Sequence, residues 1–202
     1  MTEIPKYNKV LLLLTGFLGG YEIVKGVDGY PPHIVILLTI SFGIILLTSL
    51  LLIFLGFRIL EEPVVAVIAS ILPLGISSAI VALKFPNLFT PYLIISFAGF
   101  ITIIISRFFK SYLAAVLSLA MVHSIAGLTI FFSPIYLYQN GLVTASFLLV
   151  SLGGAFIGLG GIFLFLLKSK SSILPSKKIY NLFPALLFFM TISFLAGFMN
   201  GM

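Results

Sequence analysis

Residues Ser111–Ser133 read SYLAAVLSLAMVHSIAGLTIFFS, and this stretch decides the fold class. It is long and apolar enough to cross a bilayer as one helix, which takes about 20 residues. Near its middle stands His123, the one readily titratable side chain at the centre of any apolar segment of the chain. Its neighbours are almost all aliphatic, small or hydroxylic.

Six further apolar segments lie on either side, at 10–24, 33–57, 64–83, 90–106, 142–167 and 181–200. With 111–133 they predict an all-α protein, a bundle of seven transmembrane helices forming a single integral membrane domain over residues 1–202. Composition agrees. The chain is 61% hydrophobic and 8% charged, against roughly 25% charged residues in a soluble domain. A surface so poor in charge cannot be solvated by water. With no Cys, disulfides, Cys-ligated metals and thiol catalysis are excluded.

Proline marks the predicted boundaries, because it suits the first turn of a helix and breaks interiors. Pro31 and Pro32 precede the second segment, and Pro63 and Pro91 open the third and fourth. Pro134 closes the fifth, and Pro184 falls in the first turn of the seventh after Asn181. Pro73 alone lies inside a span, where a kink is expected, with Ser70, Ser77 and Ser78 near enough to satisfy freed backbone groups.

The net charge of +6 is explained by topology rather than by nucleic acid. If seven segments cross and the N-terminus is cytoplasmic, the inner side holds Lys6, Lys9, Arg58, Arg107, Lys110, Lys168, Lys170, Lys177 and Lys178. The outer side then holds only Lys25 and Lys84. Basic residues favour the cytoplasmic side, so the C-terminus is expected outside, in a multi-pass protein of the cell (plasma) membrane. Lys6 and Lys9 before a short apolar run look like the start of a signal peptide. No small-x-small site follows before Tyr21–Glu22, so the segment is expected to be retained. The basic loop KSKSSILPSKK is expected to anchor topology, with anionic lipid headgroups as a second use.

Few residues offer chemistry. His123 has Ala120, Ala126 and Gly127 on its helical face, which admits either a flat ring such as haem or a close neighbouring helix. Its readings are a structural hydrogen bond, haem or metal ligation, and a proton or quinone role. His33 lies near the outer end of its segment, at a depth unmatched to His123, so a shared haem is not expected. Glu22 and Lys25 are spaced for an i, i+3 ion pair near the headgroups. Glu61 and Glu62 suit a helix N-terminus. Gly16 and Gly20, Gly154, Gly158 and Gly161, and Gly197 and Gly201 mark faces where helix backbones can meet, within the bundle or against another chain.

No P-loop, HExxH or GxSxG is present, and no Asp, Glu, Lys or Arg lies at mid-membrane in a predicted span. Pumps and ion-coupled transporters normally need such charges. A pore for a small neutral solute would have to use hydroxyls such as Ser41, Thr48, Ser77, Ser96 or Thr102.

This seven-span, chemistry-poor plan is similar in outline to subunit III of the haem–copper oxidases, by span count alone. The acidic and histidine residues of that family are not found within the spans. The leading expectation is a non-catalytic membrane subunit of a larger complex, of respiratory or energy-transducing type, in contact with lipids and other membrane subunits. The alternatives are a haem- or quinone-binding redox protein using His123, and a pore or carrier for a small neutral solute.

Overall fold

The computed structural model describes residues 4–27, 29–109, 111–168 and 175–201. Seven α-helices account for nearly all of them: α1 (Lys6–Lys25), α2 (Pro32–Leu55), α3 (Pro63–Lys84), α4 (Pro86–Phe109), α5 (Tyr112–Gln139), α6 (Leu148–Lys168) and α7 (Ser176–Asn200). No strand occurs among the described residues. Six helices, α2 to α7, are long and apolar enough to cross a membrane. The seventh, α1, is 20 residues long and carries Lys6, Asn8, Lys9, Glu22 and Lys25, which lower its apolar character.

Helix starts and stops follow local chemistry. Pro32 and Pro63 sit in the first turns of α2 and α3, where a missing N–H is harmless. α2 stops at Gly56, whose φ of 75° is open to a residue without Cβ, and its N–H closes on the Leu52 carbonyl at 2.9 Å. Gly141 does the same after α5 with φ 68°.

Three proline-based boundaries are corrected. α4 begins at Pro86 and carries Pro91 inside it. α5 runs through Pro134 to Gln139, and α7 begins at Ser176 with Pro184 inside it. Each internal proline removes one hydrogen bond, and packing against neighbouring helices holds the rest of the helix across the gap. α3 likewise continues unbroken through Pro73. There Ser70 Oγ donates to the Val67 carbonyl and Ser77 Oγ to the Leu74 carbonyl, rather than to the Ala69 carbonyl that Pro73 leaves free.

The helices α1, α2, α3, α5, α6 and α7 pack in that order as a ring, closed where α7 meets α1. α4 lies outside it, held by α3 and α5. The ring is filled rather than open: Phe42, Phe147, Phe194, Phe198, Leu38, Ile45 and Ile76 are essentially inaccessible. Lipid tails are as apolar as these side chains, so close packing rather than water exclusion joins such helices.

Contacts between loops define two ends. At one, Tyr30 Oη donates to the Phe198 carbonyl, Lys84 Nζ to the Leu142 carbonyl, and the Thr144 N–H to the Gly201 carbonyl. At the other, Phe57 stacks on Tyr180 with ring centroids 5.0 Å apart. Lys25 and Lys84 belong to the first end. Lys6, Lys9, Arg58, Arg107, Lys177 and Lys178 belong to the second. Lys110, Lys170 and the middle of the basic 168–178 loop lie outside the described residues.

Candidate functional site

His123 projects from the middle of α5 and is half-buried. Its Nδ1 lies 3.2 Å from the Leu119 carbonyl one turn back. A carbonyl can only accept, so Nδ1 carries the proton and Nε2 presents its lone pair. One turn on, a Cβ placed at Gly127 would meet nothing within 4 Å. His33 stands elsewhere, exposed in the first turn of α2 with its ring 5.5 Å from that of Phe89 on α4. The two histidines are not brought together on one ligand by any described contact. Among the described residues, no group of three His, Asp or Glu side chains is close enough to hold a metal.

Beside the His123 helix, α4 and α5 leave a lateral groove of about 260 Å³, floored by Leu74 of α3. Tyr92, Ser96, Thr102, Met121 and Ile125 line it. Tyr92 Oη donates to Thr129 Oγ1 at 3.2 Å, and Ser106 and Ser118 share a hydrogen bond. These are side-chain bonds between α4 and α5.

Hydroxyls inside the ring behave differently. Thr15, Ser41, Ser49, Ser70, Ser77 and Thr191 are all buried, and each donates to a carbonyl of its own helix three or four residues back. Such bonds satisfy the hydroxyl without reaching across to a neighbour.

The glycines divide by surroundings. A Cβ at Gly16 would be 3.5 Å from Leu46 and Ser49, and at Gly20 4.0 Å from Leu46. Gly19 is tighter against α2 than either: a Cβ there would lie 3.0 Å from the Phe42 carbonyl oxygen. Gly154 rests on Ile130 and Phe131, Gly197 on Val150, and Gly201 against Phe147. Gly158 and Gly161 are exposed and meet nothing within 4 Å.

Two residues that the sequence reading passed over or misjudged share the inner face of α1. Asn8 is fully buried with neither amide atom paired. Glu22 is 2% exposed, and neither carboxyl oxygen has a hydrogen-bond partner. The expected Glu22–Lys25 ion pair is not formed. α1 turns Glu22 inward, while Lys25 Nζ lies 5.8 Å over the Tyr21 ring. With buried Thr15 between them, Asn8 and Glu22 sit at i, i+7 and i+14, two turns apart at each step. Burial pushes the Tyr30 hydroxyl, in the connection from α1 to α2, above its usual pKa.

No family model, curated protein or solved structure matches the chain.

Proposed function

We propose that the chain is a non-catalytic integral membrane subunit of a larger assembly, with an energy-transducing complex as host. In this reading all seven helices cross the cell membrane, α1 included. The end bearing Lys6, Lys9, Arg58, Arg107, Lys177 and Lys178 faces the cytoplasm, as the positive-inside rule requires. The observation that carries the reading is α4. It stands outside the ring, largely uncovered, and it presents Ile94, Ile95, Phe97, Phe108 and Phe109 outward. The adjoining face of α5 adds Leu117, Met121 and Phe132. The groove between the two helices gives a partner helix a place to seat.

Purification in mild detergent from native membranes tests this. Stoichiometric co-elution of other membrane subunits is the expected result, weakened by Phe97→Ala with Ile94→Ala. A chain that elutes alone overturns it.

A second reading rests on His123. Its free Nε2, the backbone bond that orients the ring, and the open space beside Gly127 suit a planar ligand such as haem, while the apolar groove suits a quinone tail. An absorption spectrum of the purified protein should then show a Soret band lost in His123→Ala. A colourless protein removes the haem form of this reading.

A further inference from the structure

His123 and the glycines of α6 meet at one place in the fold, a lateral opening between α5 and α6. Nearer one end the two helices are tight: a Cβ at Gly154 would lie 2.8 Å from the Ile130 side chain and 3.2 Å from the Phe131 nitrogen. Gly158 and Gly161 continue the same face of α6, at i+4 and i+7. Both are exposed, and a Cβ at either would meet nothing within 4 Å. On α5 the positions that continue the Ile130 face are Gly127 and His123, three and seven residues earlier. Gly127 too has open space beside it. The short connection 140–147 makes the two helices antiparallel neighbours. Gly158 therefore stands level with Gly127, and Gly161 with His123, about 10 Å along from the Gly154 contact. The face that is sealed at Gly154 is uncovered at the depth of His123.

This opening is distinct from the α4–α5 groove. The groove is lined from α5 by Met121, Val122, Ile125 and Ala126, and His123 is not part of its wall. The backbone fixes what the histidine can do. Nδ1 donates to the Leu119 carbonyl at 3.2 Å, so Nε2 is an acceptor, and no described contact occupies it. A molecule that binds there must bring an O–H or N–H. The glycines set its shape, because a Cα without Cβ lets a flat ring approach the backbone of both helices. The bilayer outside suits an apolar tail.

We propose that the α5–α6 opening binds an aromatic lipid of the hydroquinone class, with one ring hydroxyl donating to His123 Nε2. The ring lies against Gly127, Gly158 and Gly161, and the tail leaves between the helices into the bilayer. The inference rests on the second reading of His123 and seats its ligand on the α6 side of α5, away from the groove. It also sets a preference. An oxidised quinone offers only carbonyl oxygens, whose lone pairs face the lone pair of Nε2, so the site selects the reduced form.

The full chain in nanodiscs tests the proposal. Decylubiquinol and decylubiquinone are added separately without oxygen, and the amount retained above that of protein-free nanodiscs is measured after gel filtration. The quinol should bind at least about fivefold more tightly than the quinone, the worth of one hydrogen bond. His123→Leu should remove that preference. Gly158→Leu and Gly161→Leu enter open space, so each should fold with an unchanged thermal midpoint and lose the quinol with His123 intact. Ile125→Phe narrows the α4–α5 groove and should leave retention unchanged. Equal retention of quinol and quinone, retention untouched by both glycine variants, or loss through Ile125→Phe overturns the proposal. A Soret band with no retained quinol also overturns it, and leaves the second reading standing as haem ligation. A colourless protein that retains neither molecule overturns both.

Discussion

Asn8 and Glu22 show what a single residue can conceal. Glu22 reads as an end-of-helix acid near the headgroups and Asn8 draws no reading at all, yet α1 directs both inward. The signal was present as the two-turn spacing Asn8–Thr15–Glu22, but only the placement of α7 beside α1 shows that this face is covered. An unpaired buried amide is unfavourable by about 1–3 kcal/mol, so Asn8→Leu should raise the thermal midpoint; a clear fall would show that the amide is used. The glycines make a matched pair of predictions. Gly19→Ala places a Cβ 3.0 Å from the Phe42 carbonyl oxygen, backbone on the facing helix, and it should destabilise the chain by about 1–3 kcal/mol. Gly158→Ala fills open space, and its effect on the isolated chain should stay within about 0.5 kcal/mol. Thermal unfolding in detergent measures both. Tyr30→Phe should lower stability by about 1 kcal/mol through loss of the bond to Phe198.

At the level of elements, hydropathy located every helix, because lipid tolerates only segments that satisfy their own backbone. The ends were less legible. Pro91, Pro134 and Pro184 all lie inside helices that the sequence reading began or ended at them. A proline constrains its own turn, but whether the helix continues past it depends on neighbours that the sequence does not display. The α4–α5 pair could not have been foreseen either, since nothing in α4 marks it as the helix left outside. Its attachment is partly polar, through Ser106 with Ser118 and Tyr92 with Thr129. A double-mutant cycle on Ser106→Ala and Ser118→Ala should return a coupling of about 0.6 kcal/mol, the usual size for such bonds between membrane helices. A value of zero would mean that apolar packing alone holds α4.

Over the whole molecule, membrane residence followed from composition, whereas the ring did not, because the pairing of α1 with α7 leaves no trace in span order. The lack of Cys makes sidedness directly measurable. Single cysteines at Lys9 and Gly26 should react with a membrane-impermeant thiol reagent from opposite faces of sealed vesicles if α1 crosses. Reaction from the same face would reduce the crossings to the six most apolar helices. The closure of the ring also has a consequence for how the protein is made. In the seven-span reading, α1 enters the membrane during synthesis long before α7 exists. Until the last of the seven helices is released, the face holding Asn8 and Glu22 has only α2 to lean on. Maturation therefore ends in one late event, the arrival of α7, and a ribosome halted ahead of it leaves an open crescent with its most polar edge turned to lipid, a ready target for membrane quality-control proteases.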